Sequence, residues 1–360
     1  MMKILARYLF RQLTVFILFT LIGLLGLYNF FDLIGELGDL GKGGYTLSDA
    51  LIYVFLQTPS NAYNLMPIAV LIGGIFALST LAGNAELTVM RAAGVSVKRL
   101  LFWLLSIGVL YGAVTLLLGE YVAPVAKQAA NQHRLAATKA MLVGEFRSGV
   151  WVKDGHQIVN IAEMLPDLTI LGIRIYEFGD KMVLNRIMDG TQGKYKGHGE
   201  WELEGSAETR FAPNEGGVTM TRAAVGIWST SITPEMLAVL LVEPSQMSGR
   251  SLYSYIDHLR RNNQKTSRYE LALWGKLFYP LACLSMIVIA LPFAQTQRRS
   301  GNVGMRLFAG IIVGMAFHFL NQVVVYLGEL RAWPPALVVS IPTLFFLFIA
   351  LVMLWRQERR

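Results

Sequence analysis

One cysteine and five histidines are all that 360 residues hold of the side chains that most often build metal or thiol chemistry. The single cysteine, Cys283, excludes an intramolecular disulfide and a cysteine-based metal centre. His133, His156, His198, His258 and His318 are scattered without metal-ligand spacing. No Gly-x-Ser-x-Gly turn is present. The glycine-rich stretch 35–43 has the wrong spacing for a phosphate loop and lacks its hydroxyl residue. The chain is therefore expected to carry no catalytic residue, no metal and no nucleotide of its own.

Charge is scarce as well: 16% of residues are charged, against about 25% in a usual soluble domain. The shortage is local. Uncharged runs cover residues 12–31, 50–85, 100–119, 277–297, 307–328 and 332–355. A helix crosses the hydrocarbon layer with about 20 apolar residues, each adding roughly 1.5 Å. Every run reaches that length, which predicts six spans. No Ala-x-Ala cleavage site follows the first run, so it reads as a retained helix rather than a signal peptide. Ahead of it, Lys3, Arg7 and Arg11 recur opposite Ile4, Leu5, Tyr8 and Leu9, the pattern of an amphipathic elbow lying in the headgroup layer.

The basic residues fix the orientation. With the N-terminus inside, the inner segments hold Lys3, Arg7, Arg11, Arg91, Lys98, Arg99, Arg298, Arg299, Arg306, Arg356, Arg359 and Arg360, against Glu86 and Glu358. The short outer loops hold Asp32, Glu36, Asp39, Asp49 and Glu329 against Lys42 and Arg331. Positive charge accumulates on the cytoplasmic side, so both termini are expected there. The long segment 120–276 then lies outside and is nearly neutral, although the whole chain carries +8. A nucleic-acid binder would concentrate the excess in its soluble part, so nucleic acid is not an expected partner.

Between residues 144 and 232 helical periodicity gives way to short alternating runs. Val150–Asp154 and the residues after Gly155 read as two strands around an Asp-Gly turn. Residues 168–178 continue the alternation, and further short strands are expected at 181–189, 193–195, 200–203, 209–211, 217–222 and 226–229. Such a series suggests a sandwich, jelly roll or open barrel, whose edges could add a strand from another protein. Residues 123–141 and 244–276 are more helical. The domain boundaries fall at 1–122, 123–265 and 266–360.

His318 is the one ionisable residue expected inside a span, with Asn321 and Gln322 on its helical face. Such a patch either lines a pathway or makes helix-to-helix hydrogen bonds, the second being the commoner case. Residues 84–96, in the first cytoplasmic loop, read as a short helix: Asn84 as N-cap, Glu86 at its positive end and Gly94 as its stop. It is either a plain connection or an element that seats in a cytoplasmic partner.

Three segments carry a resemblance. They are Glu86-Leu87-Thr88-Val89-Met90-Arg91-Ala92-Ala93-Gly94, Gly149-Val150-Trp151-Val152-Lys153-Asp154-Gly155, and the run from Arg268-Tyr269-Glu270 through Trp274-Gly275-Lys276 to Tyr279-Pro280-Leu281. Together with the span layout they resemble the LptF/LptG permeases of lipopolysaccharide export, the second and third segments being more similar to the LptG branch. The resemblance implies a membrane all-α bundle of six transmembrane helices with an inserted periplasmic β-jelly roll, in the bacterial inner membrane. It implies an LptF–LptG heterodimer bound to two copies of the ATPase LptB, which holds ATP and Mg. Lipopolysaccharide would pass to LptC and through it to LptA.

On this resemblance Glu86, Leu87, Met90 and Arg91 would couple to the ATPase. The first and fifth spans would form lateral gates, with Leu24, Leu27, Phe30, Phe31, Phe317, Leu320 and Val324 lining gate or cavity. Family members can carry lysines near the outer end of the first span. Here Asn29, Asp32, Gly35 and Glu36 stand there, with Lys42 the only nearby cation: either Lys42 contacts the lipid phosphates, the partner subunit supplies the cations, or the lipid carries a different charge pattern. The alternatives are an LptF-like subunit and a non-transporting scaffold.

Overall fold

The computed structural model describes residues 2–138, 149–165, 169–179, 183–212, 217–239, 243–296, 303–331 and 333–358. Expected features at Met141, Gly144, Leu168, Lys181, Arg298 and Arg299 lie outside them. The described chain forms two compact units.

The first unit comprises residues Met1–Gly35, Val54–Lys127 and Ser267–Arg360. Among the described residues, six helices are long and apolar enough to cross a membrane. The first is α1 (Met2–Leu37) and the second α2 (Leu47–Gly83). A short helix α3 (Glu86–Ala92) leads to α4 (Val97–Leu117), which runs through a π-helical turn at Leu118–Val122 into α5 (Ala123–Thr138). The expected elbow is the first turns of α1 itself, since no glycine or proline interrupts residues 2–22 and the helix has no reason to break.

Apolar side chains from several spans share one buried cluster, including Leu9, Leu13, Ile17, Leu71, Leu78, Leu104, Met286 and Ile287. Helices approach closely where a side chain is missing. A methyl group on Gly73 of α2 would lie 2.6 Å from the Ile17 Cα of α1, so only glycine permits this contact.

The second unit comprises Glu36–Tyr53 and Gln128–Thr266. Its strands are β1 (Val150–Asp154), β2 (Gln157–Met164), β3 (Ile170–Phe178), β4 (Leu184–Gly197), β5 (Glu200–Ala212) and β6 (Gly217–Ser229). They pair antiparallel in sequence order, leaving β1 and β6 as edges. The Asp-Gly turn is where the sequence put it: Asp154 pairs with Gln157, and Gly155 adopts φ 58°.

The six short strands expected after residue 181 are instead three long ones. Gly190 and Gly193 lie inside β4 and make room for larger neighbours. A methyl on Gly190 would lie 2.9 Å from Ile173 Cγ2, and one on Gly193 would lie 2.7 Å from Ile170 Cγ1. One sheet face buries Val159, Ile161, Ile173, Ile175, Trp201, Leu203 and Trp228. Both indoles are satisfied: Trp201 Nε1 donates to the Ile232 carbonyl at 2.9 Å, and Trp228 Nε1 donates to Gln157 Oε1 at 2.8 Å. Helices α6 (Pro234–Val239) and α7 (Gly249–Arg261) follow the sheet. The chain then returns to the first unit through α8 (Ser267–Thr296), α9 (Val303–Arg331) and α10 (Pro335–Glu358).

Candidate functional site: a short helix between two spans and two exposed spans

Helix α3 is set by its ends. Ala85 before it takes a left-handed conformation at φ 58° with no side-chain cap, so Asn84 does not serve as the N-cap its sequence suggests. Its amide instead donates to Glu86 Oε1 at 3.2 Å. The stop is as read. Gly94 sits at φ 88°, its N–H donates to the Arg91 carbonyl at 3.0 Å, and Val95 N–H donates to the Met90 carbonyl at 3.1 Å. These are the paired bonds of a Schellman motif, with Met90 and Val95 both buried.

The helix therefore presents two faces. Leu87 and Met90 belong to the chain's own core, which leaves them little surface to offer a partner. Val89 is 66% exposed, and Arg91, Ala92 and Ala93 are exposed beside it. Glu86 lies between the faces, and its Oε2 accepts a 2.8 Å hydrogen bond from the Tyr8 hydroxyl of α1. Hydropathy pattern could not rank these residues, because a seven-residue helix leaves its orientation open.

The spans differ sharply in how far the chain covers them. In its most apolar window α2 is 72% buried, whereas α1 and α9 are each 17% buried. Of the candidate lining residues, Leu27, Phe30 and Phe31 are exposed on α1. Leu24 and Leu320 pack partly buried against the main cluster. Phe317 is 3% exposed and meets the Phe346 ring edge-on at 5.3 Å. Val324 packs beside Leu271, Val338 and Val339. Phe317 thus fills the helix core, and the outward stripe of α9 runs instead through Ile312, Met315, Phe319 and Tyr326. The His318 patch also faces outward, with His318 Nε2 3.4 Å from the Gln322 amide nitrogen.

Polar groups collect on the C-terminal half of α1. Asn29 donates to Thr58 Oγ1 at 3.0 Å, and Asn61 donates to Asn29 Oδ1 at 3.1 Å and to Asp32 Oδ2 at 2.9 Å. Within the second unit, Lys42 Nζ reaches Asp39 Oδ1 at 2.6 Å while its side chain stays 67% exposed. Lys42 is not the only cation there. Arg134 of α5, 95 residues away in sequence, contacts Asp39 and lies 3.1 Å from Glu36 Oε2. Hydrogen bonds from Lys42 and Arg134 hold the Asp39 carboxyl below its ordinary range. Burial and a hydrogen bond to Glu36 push the Tyr45 hydroxyl above its own. His133 Nε2 lies 3.1 Å from Asp49 Oδ1. No sequence rule links residues so far apart.

In the second unit, Asp154 fastens the β1–β2 turn to the chain after β6. It accepts from Thr230 Oγ1 at 2.6 Å, Ser231 Oγ at 2.6 Å and Ser231 N–H at 2.8 Å. Burial alone would raise its carboxyl, but the bonds from Ser231 and Thr230 outweigh that and hold it below 3.8. Gly155 N–H donates to Asn262 Oδ1 at 2.6 Å, tying the same turn to the end of α7. The edge strand β6 is exposed along most of its length, including Val218, Met220, Val225 and Ile227. Among the described residues no group of histidine, cysteine and carboxylate side chains could hold a metal ion.

Comparison with known proteins matches residues 7–356 to the family model "Lipopolysaccharide export system permease LptF/LptG". The lipopolysaccharide export system permease protein LptG of Escherichia coli (strain K12) is 30% identical over 318 residues, 88% of each chain. The LptG protein of Haemophilus influenzae is 30% identical over 315 residues, covering 87% of this chain and 86% of its own.

Proposed function

The chain belongs to the LptF/LptG family of lipopolysaccharide export permeases, and from that membership we propose that it is the LptG-type subunit, paired in the inner membrane with an LptF-type permease. Two copies of LptB would bind ATP and Mg on the cytoplasmic side, and the sheet domain would hand lipopolysaccharide toward LptC and LptA. Both termini are cytoplasmic in this reading, and the sheet is periplasmic.

One observation carries it. The two spans assigned to lateral gates are those the chain leaves most open, 17% buried in α1 and in α9. A gate helix must part from its neighbours at low cost, and within a bilayer that cost grows with the packing contacts and interhelical hydrogen bonds it gives up. The exposed Leu27, Phe30 and Phe31 of α1 face what lies beyond this chain, and Ile312, Met315 and Phe319 do so on α9. Coupling of lipid export to ATP then requires that the nucleotide states differ in how they bind lipid.

Photo-crosslinking tests this directly. A photoreactive residue at Phe31 or Phe319, in the complex reconstituted with the partner permease and LptB, is expected to capture lipopolysaccharide until ATP is added. Capture indifferent to ATP at both positions would defeat the gate assignment.

A further inference from the structure

The inner end of α1 and helix α3 are joined in two independent ways. Leu9 and Leu13 of α1 share one buried cluster with Leu87 and Met90 of α3. Beside that apolar seat runs a polar chain. Gln12 Nε2 donates to the Tyr8 hydroxyl oxygen at 3.3 Å, Tyr8 donates to Glu86 Oε2 at 2.8 Å, and Asn84 donates to Glu86 Oε1 at 3.2 Å. The Glu86 carboxylate is thus held at both oxygens, one from its own loop and one from a span 78 residues earlier. An apolar seat resists separation but lets helices slide. A directional hydrogen bond to a rigid ring fixes where the carboxylate points.

We infer that Tyr8 is a positioning residue of the coupling machinery: its hydroxyl orients Glu86 toward the ATPase and makes the inner end of α1 follow α3. This rests on the reading of α3 as the ATPase-facing element. Its consequence is mechanical. Movement imposed on α3 by the nucleotide cycle reaches α1 directly, and α1 is one of the two spans whose most apolar window the chain covers least. No relay through the bundle is needed, because the contact at Glu86 and the root of the gate helix are one hydrogen bond apart.

The test uses the full chain in complex with its partner permease and ATPase, in lipid. Tyr8→Phe removes the hydroxyl and keeps the ring. Bound ATPase, ATP hydrolysed, lipid released and melting temperature are measured together. The expected result is retained hydrolysis with lipid released per ATP reduced by about fivefold or more. Gln12→Ala, which leaves the bond but frees the hydroxyl at its other side, should lower the same ratio less. A merely structural tyrosine would lower melting, hydrolysis and release together and leave their ratio unchanged. That outcome, or a parental ratio in both variants, overturns the inference. Glu86→Ala separates the two levels. Parental release in that variant would sink the α3 reading itself, whereas lost release beside a parental Tyr8→Phe would sink only the role of Tyr8.

Discussion

Lys276 Nζ donates to the Gly119 carbonyl at 2.5 Å, joining the fourth span to the π-helical turn that ends the third. The backbone explains why a lysine is wanted there. In an α-helix the Gly119 carbonyl would accept from Ala123 N–H. Here Ala123 N–H donates to the Leu118 carbonyl instead, and the next residue, Pro124, has no N–H to give. The carbonyl is left without a backbone donor in a buried place, and Lys276 supplies one from 157 residues away. The Tyr63 ring lies 5.6 Å from the same ammonium.

Lys276→Met keeps most of the stem and removes the donor. An unsatisfied buried carbonyl costs about 1–3 kcal/mol, so the variant should melt earlier in detergent at unchanged expression. Replacing a buried charge by an apolar group can also stabilise a protein. A raised melting temperature would therefore show that burying the ammonium costs more than the bond returns.

Asp154 supplies a pH dependence with a definite sign. Its carboxyl is held below 3.8 in the folded chain by Ser231 and Thr230, so its contribution is present above the unfolded value. It is lost as pH falls through the folded value. Amides of β1, β2 and the end of β6 are expected to lose hydrogen-exchange protection, corrected for intrinsic rate, as pH drops from 5 to 3. Asp154→Asn should lower protection at neutral pH and flatten that drop. An unchanged acid profile in the variant would show that other carboxylates dominate it.

The spans could be read from sequence because a charge-free run of about 20 residues has few other stable uses. Which face each span turns inward could not. Apolar residues flank the His318 patch on every side of α9, and hydropathy does not separate buried Phe317 from exposed Phe319. The run rule also placed the fourth span after Lys276, whereas the helix begins at Ser267 and carries that lysine within it. Strand boundaries failed for a related reason. The gap expected between 189 and 193 holds Gly190, and only the partner strand reveals that Ile173 needs its space. Arg134 meeting Asp39 depends on where helix α5 passes the turn that follows α1. Local periodicity carries no information of that range.

Helix α3 allows a sharper test, because its two faces should fail differently. Leu87 is 4% exposed within the chain's own core, so Leu87→Ala should destabilise the chain by about 2–5 kcal/mol. Any loss of ATPase binding in that variant would follow from a disturbed helix. Val89 and Arg91 lie on the open face. Val89→Glu and Arg91→Glu should leave melting within about 0.5 kcal/mol of the parent, yet lower ATPase affinity by about tenfold, or roughly 1.4 kcal/mol. Pull-down of the ATPase at graded concentration, beside thermal melting of the free permease pair, reads both quantities from the same preparations. If Val89→Glu and Arg91→Glu hold the ATPase as firmly as the parent, the open face of α3 is not its seat. The contact would then have to be sought at Lys98 and Arg99, which stand exposed at the start of α4.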